Sequence, residues 1–273
     1  MFSIKIDDIL FAHDVYSTCF QKSKYIQWDR NIVNDSEDLV VYTDYSMHRV
    51  NSNVKNKIGW LLESPIITQN EHNWIKNNFN RFDTILTNNK DLLDLNEKFK
   101  FQPTGGCWIK PEDQKIYIKS KLVSIIASSK NWTEGHKLRQ SIIQKKLKDL
   151  DVFGRGHSPI DYKLKGLSEY RFSIAIENTK KDYYFSEKLI DCFATGTIPI
   201  YWGCPSISDF FNSDGIIAFN NLSELYEIMS KLTPELYESK INAVEDNLKR
   251  SKEYIIAEDY MYEKYIKDYV KPV

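Results

Sequence analysis

The residues with the most chemistry in their side chains fall in one stretch, Glu169 to Phe211. Within it Glu177, Asn178, Tyr184, Glu187 and Lys188 crowd the point where an apolar strand, Tyr170 to Glu177, hands over to a helix opening at Ser186. The free N–H groups and dipole of a helix start favour an anion. Lys188, in the first turn, can turn back toward a phosphate, whereas Glu187 would repel one and suits hydroxyl groups such as a ribose diol. A solvated Glu–Lys pair opening a surface helix accounts for the same two residues equally well. Arg139 sits on a helix that follows an apolar strand and could face the same crevice, where its planar fork suits a phosphate; a solvent-facing arginine among Lys137, Gln140 and Lys145 is the commoner outcome. Glu63 ends another apolar run and precedes Ser64-Pro65, a placement that suits a general base, although a residue near a helix cap would look the same.

Other candidates are weaker. Gly154-Arg155-Gly156-His157 follows a strand but is neither GxGxxG nor a P-loop, and reads as a tight strand-end turn. Asp149-Leu150-Asp151 has the DxD spacing of some metal-binding glycosyltransferases, yet it straddles a helix end and a strand start and reads as structural. The histidines (13, 48, 72, 136 and 157) are scattered, and no nucleophile constellation or metal-ligand spacing appears, so no metal is expected. The four cysteines, Cys19, Cys107, Cys192 and Cys204, form no CxxC pair and suit a reducing cytoplasm.

The elements that must position these groups alternate. Strands are expected at Leu39–Thr43, Ile58–Leu62 and Phe82–Thr87, with helices at Ile67–Asn78 and Lys90–Lys98. Gly and Pro cluster from Pro103 to Pro111, the best linker in the chain. Beyond it come a strand in Lys119–Ser128, a helix over Thr133–Lys148 with Leu138, Ile142, Ile143 and Leu147 at helical spacing, a short strand at Asp151–Gly154, and a helix around Ile160–Leu167. The βαβ unit of the opening stretch closes with a strand at Thr197–Trp202, Gly215–Phe219 is a last strand, and Leu222 to Val270 reads as helical. This predicts an α/β protein with an N-terminal lobe over 1–110, a second lobe over 116–250 and a C-terminal helix over 251–273, its Tyr262, Tyr265, Ile266 and Tyr269 poised to pack across the lobes.

A net charge of −1 over 273 residues provides no global field for nucleic acid or anionic membrane. The charged start of the chain is no signal peptide, and no apolar run approaches a membrane span, so a cytoplasmic location is expected.

Four segments then carry a resemblance. Tyr170-Arg171-Phe172, Ala175-Ile176-Glu177-Asn178, Tyr184-Phe185-Ser186-Glu187-Lys188 and Gly196-Thr197-Ile198-Pro199-Ile200-Tyr201-Trp202-Gly203 resemble the donor-binding signature of the alpha-1,3/4-fucosyltransferases, glycosyltransferase family 10. Ile176 departs mildly from the phenylalanine usual before Glu-Asn. Leu62-Glu63-Ser64-Pro65 is similar to the family's Glu-Ser-Pro segment, and Ile125 to Ser128 followed by Arg139 resembles its strand-then-Arg segment. The resemblance implies a GT-B architecture of two Rossmann-like lobes facing each other across a cleft, GDP-fucose as donor, a glycan acceptor, and inversion without a metal or other cofactor. By the same resemblance Glu63 would be the general base, Arg139 and Lys188 would neutralise the diphosphate, Glu187 would bind the ribose, and Asn178 and Tyr184 would line the phosphate and fucose side. The membrane anchor of animal members and the heptad repeats and basic tail of some bacterial ones are not expected here. Two alternatives stay open: another nucleotide-sugar donor, and a non-catalytic nucleotide-sugar or glycan binding module, which would not need Glu63. His13, Trp28 and Trp60 are the stacking groups available for an acceptor, although core packing explains each more simply.

Overall fold

The computed structural model describes residues 1–9, 15–19, 21–31 and 38–270, so His13 lies outside the described residues. The chain divides into two compact units, Met1–Gly106 together with the segment from Ile256 onward, and Cys107–Ile255.

In the first unit six strands, β1 (Phe2–Asp7), β2 (Ile26–Asp29), β3 (Leu39–Thr43), β4 (Asn56–Leu61), β5 (Thr84–Thr87) and β6 (Phe99–Phe101), form one parallel sheet in the order β2-β1-β3-β4-β5-β6. The periodicity announces β3, β4 and β5 but not β1, β2 or β6. Lys5 and Asp29 break the apolar pattern of β1 and β2, and the sheet pairs them across the two strands at 2.8 Å. Helix α1 (Gln69–Asn78) forms as expected, but α2 stops at Leu93, short of the expected Lys98, because the chain turns at Asn96 to enter β6.

The C-terminal segment belongs to this unit's core. Ala257, Met261 and Ile266 are buried among Ile4, Ile6, Trp28 and Trp60, and Tyr262 stacks on Tyr25 with ring centroids 4.5 Å apart. Trp28 and Trp60 are therefore core side chains, 6.4 Å apart between centroids, and not a platform for sugar.

In the second unit β7 (Lys121–Ile126), β8 (Leu150–Phe153), β9 (Tyr170–Ile176), β10 (Ile198–Trp202) and β11 (Ile217–Ala218) form a parallel sheet in the order β11-β10-β9-β7-β8. Helix α3 (Glu134–Gln144) follows β7, and α4 (Glu187–Ala194) links β9 to β10. On β9, Phe172, Ile174 and Ile176 join a core with Ile198, Ile200 and Trp202 of β10, and that core reaches Leu225, Tyr237 and Val244 of the later helices. The alternate positions are small: Ser173 receives a hydrogen bond from Ser124 Oγ at 3.0 Å, and Ala175 adds only a methyl. That thin face leaves room for a turn of chain and for the cavity described below.

Two expectations need correction. The helix expected at 160–167 is a single 3-10 turn, Lys163–Gly166. Gly166 lies so close to the sheet that a Cβ there would come within 2.9 Å of Ile126, and its carbonyl accepts from Ser124 Oγ at 2.6 Å. Before the turn Tyr162 is extended, at φ −141° and ψ 128°, so no helix runs into Lys163. The region after Leu222 is helical as expected, in α5 (Leu222–Lys231), α6 (Pro234–Glu238) and α7 (Ile241–Ser251), but the single C-terminal helix expected from 251 is broken into a 3-10 turn, Lys252–Tyr254, then α8 (Ala257–Met261) and a π-turn over Tyr262–Ile266. Pro234 starts α6 with Thr233 as its cap, because proline tolerates the first helical turn and breaks an interior. No helix among the described residues is long and apolar enough to cross a membrane.

Because Met261 is fully buried in the first unit's core, Met261→Ala is expected to cost about 2–5 kcal/mol of unfolding free energy in urea denaturation.

Candidate functional site

In the second sheet the chain order reverses between β7 and β9, and open α/β sheets bind ligands beyond the strand ends at such a point. A cavity of about 390 Å³ lies there, lined by the ends of both strands and by the first turns of α3 and α4.

Glu177 builds this corner. It is fully buried; one carboxylate oxygen accepts from the Ser186 N–H at 2.9 Å and the other from the Ser186 hydroxyl at 2.6 Å. Ser186 is in turn the N-cap of α4, accepting from the Lys188 N–H, so the carboxylate fixes where the helix begins. The Glu177 N–H donates to Trp202 O at 2.9 Å, tying the ends of β9 and β10 together. Gly135, in the first turn of α3, donates to Asn178 O at 3.1 Å, and a Cβ there would fall 1.7 Å from Glu177 O. Only glycine allows that approach.

Of the residues singled out in the sequence, Arg139, Asn178, Glu187 and Lys188 line the cavity. Arg139 is 5% exposed, not solvent-facing: its guanidinium donates to Asn178 Oδ1 at 2.8 Å, while its Nε has no hydrogen-bond partner. Burial lowers its pKa, opposed by the charges of Glu177 and Glu187. Lys188 Nζ sits 3.0 Å from Ser186 Oγ, 3.2 Å from Glu187 and 3.6 Å from Glu177. Burial pushes the Glu187 carboxyl up, but Lys188 and Lys163 outweigh it and bring it down to about 2. Tyr184 is buried and is not among the side chains lining the cavity. Glu63 lies in the first unit, half-buried just past β4. Beside it the wholly buried Asp44, at φ 34°, accepts from the Leu62 N–H at 3.3 Å and from Thr68 Oγ1 at 3.3 Å. Burial, with the Glu63 charge adding, pushes Asp44 up to about 8.

Further side chains join them. Lys130, Arg155, Lys163 and Asp191 also line the cavity, so five basic side chains, counting Arg139 and Lys188, face two acidic ones, Glu187 and Asp191. That balance suits a multiply charged anion. The Glu187–Asp191 spacing of four on one helix face was a signal available in the sequence; Lys163, on an irregular turn, had none. Gly154 and Gly156 make the strand-end turn expected of them, with φ 115° and 92° against Ala127 and Ser129. Asp151 accepts from the Tyr170 hydroxyl at 2.6 Å and Asp149 sits at φ 62°, as befits a structural Asp-Leu-Asp. Among the described residues no cluster could hold a metal ion, and all four cysteines are buried and outside any disulfide.

The second unit matches a known family. Residues 116–239 fit the C-terminal region of glycosyltransferase family 10 (fucosyltransferase). This unit carries a family 10 glycosyltransferase domain. The alpha-(1,3)-fucosyltransferase FucT of Helicobacter pylori is 35% identical over 89 residues, which are 29% of this chain and 19% of that protein. The match thus spans about a fifth of that relative's length. A crystal structure of an alpha1,3-fucosyltransferase with GDP is similar at a TM-score of 0.60 and 18% identity, over 94% of this chain and 92% of that one. HepE of Anabaena in complex with UDP reaches 0.57 at 11% identity, over 85% and 79%. The fold is GT-B, with two α/β units each built on a parallel sheet.

His136 provides a direct probe of the cavity wall. It closes a capping box with Thr133, whose N–H donates to Nδ1 at 3.3 Å, leaving the ring proton on Nε2. Burial, then Arg139, Lys130 and Lys188, bring its pKa down to about 4. Since the unfolded chain binds this proton from about pH 6.5 downward, folding stability should fall as pH drops from 6.5 toward 4, by up to about 3 kcal/mol from this group. His136→Gln retains the capping box and is expected to flatten that part of the pH–stability curve in thermal unfolding.

Proposed function

We propose that the chain is an inverting glycosyltransferase that moves fucose from GDP-fucose to a hydroxyl group of a glycan acceptor. The observation that carries the reading is Arg139: a buried guanidinium with an unpartnered Nε, in a cavity of net positive side-chain charge at the switch point of a family 10 domain. In this reading Arg139 and Lys188 bind the diphosphate, Asn178 holds the guanidinium in register, and Glu187 accepts from the ribose hydroxyls. Tyr184 acts from behind the cavity wall. Glu63 takes the proton of the acceptor hydroxyl as its oxygen attacks the anomeric carbon from the face opposite GDP. The bond to the diphosphate oxygen breaks, its electron pair stays on GDP, and the sugar inverts. Fixed cations at the leaving diphosphate stabilise the charge that develops there.

The likeness to a UDP-bound enzyme means that the fold itself does not select guanine, so the donor base and sugar must be tested directly. In a thermal-shift panel of GDP, UDP and CDP, GDP at a hundred times its dissociation constant should add about 2.7 kcal/mol of stability. A response to UDP without one to GDP would replace the donor, and GDP binding without GDP release from GDP-fucose across a glycan panel would favour a binding module. Glu63→Gln should slow transfer by about a hundredfold or more with GDP affinity unchanged; full transfer activity in that variant removes Glu63 as the base.

A further inference from the structure

The charges around the start of α4 form an alternating row, Asp191, Lys163, Glu187, Lys188 and Glu177. One member, Lys163, has no part in the reaction proposed above. Its Nζ lies 2.7 Å from Asp191 Oδ2 and 3.6 Å from Glu187 Oε1, and it lines the cavity. Asp191 is fixed in turn, its other oxygen accepting from the Trp108 N–H at 2.7 Å. The turn that carries Lys163 is pinned at both ends. Tyr162 donates to Asp113 at 2.8 Å and accepts from the Lys110 N–H at 2.7 Å, while Gly166 is held against the sheet by Ser124. Lys163 is thus a stationary cation. Burial opposes its charge, but Asp191 and Glu187 outweigh burial and hold it above the ordinary lysine range.

Lys188 is different. It rests on Ser186 and Glu187 of its own helix start and on Glu177 at the end of β9, and a diphosphate in the cavity would compete for it. Once Lys188 turns to the diphosphate, Glu187 keeps one cation, Lys163. A carboxylate that must accept two hydroxyl hydrogen bonds needs to stay ionised and oriented at that moment.

We propose that Lys163, anchored by Asp191, is a positioning residue that holds the Glu187 carboxylate for a vicinal diol, and so makes the site select ribonucleotides over nucleotides lacking the 2′ and 3′ hydroxyls. The proposal rests on the reading of Glu187 as the ribose acceptor. It differs from a direct phosphate contact by Lys163, which would add affinity to every nucleoside diphosphate alike.

The test is calorimetric binding of GDP and 2′,3′-dideoxy-GDP, or the corresponding pair for whichever base the panel selects. Wild type should prefer the diol by about tenfold or more, since hydrogen bonds to a charged group are the strong ones. Lys163→Met should shrink that preference to within about threefold by weakening GDP, with dideoxy-GDP nearly unchanged. Lys163→Arg should keep most of it, and Lys163→Met added to Glu187→Gln should cost no further preference. Undiminished preference in Lys163→Met, or equal loss for both nucleotides, overturns the proposal while leaving the ribose reading in place. A wild type that binds no nucleoside diphosphate, or binds without preference for the diol, overturns the ribose reading and this proposal with it. Should Lys163→Met fail to fold by circular dichroism, Asp191→Asn carries the test: it keeps an acceptor for Trp108 N–H, frees Lys163 from its anchor, and should likewise reduce the preference.

Discussion

The cavity depends on one pair of hydrogen bonds, from the backbone N–H and the hydroxyl of Ser186 to the buried carboxylate of Glu177. Burying a carboxylate is costly unless its oxygens are satisfied. Here both are, and the arrangement joins the end of β9 to the cap of α4. The same residue meets Gly135 through its carbonyl and Trp202 through its N–H. Two strand ends and two helix starts are therefore set by one side chain and its peptide groups. Lys188 and Glu187 are placed because α4 can begin nowhere else, and Asn178 and Arg139 because α3 is drawn against the same peptide.

Around that corner the charges are arranged as a balance. Five cations near one another would repel, and the two acids between them allow the group to exist without a ligand. Arg139 relies on an amide partner, Asn178, whose oxygen orients the guanidinium without neutralising it. That leaves its charge available to a bound anion. Lys188 is held by three short-range partners, Ser186, Glu187 and Glu177, whereas Lys163 is tied to Asp191 in a setting fixed by Tyr162 and Gly166.

The two units share a parallel-sheet plan, but their surroundings differ. In the second, the thin face of β9 admits the Lys163–Gly166 turn, and a bulky residue in place of Ser173 or Ala175 would fill the space that the turn and cavity occupy. In the first, the core is completed by chain from the far end of the sequence, with Met261 and Ile266 beside β-strand residues near the N-terminus. Asp44 there is a buried acid next to the candidate base, held by backbone and hydroxyl donors in a left-handed conformation that a non-glycine residue adopts only when its surroundings require it.

Much of this was legible in the residues. The alternation of β9, the cap at Ser186, the glycine after α4 and the apolar run of β10 are local signals, and a βαβ unit follows from them because each depends on neighbours a few positions away. The cluster of Asn178, Glu187 and Lys188 was visible for the same reason. The first two strands were not, since Lys5 and Asp29 look like interruptions until the sheet sets them opposite each other. Nor were Lys163, Arg155 and Asp191 as members of the cavity, or the burial of Arg139. A side chain on an irregular turn has no period to betray its direction, and a charge discloses its partner only when distant segments meet. The sequence by itself determined which residues could hold a charged, hydroxylated ligand and on which elements they ride; the tertiary structure decided which of them face one another, because burial and pairing are properties of the folded neighbourhood and not of the order of the chain.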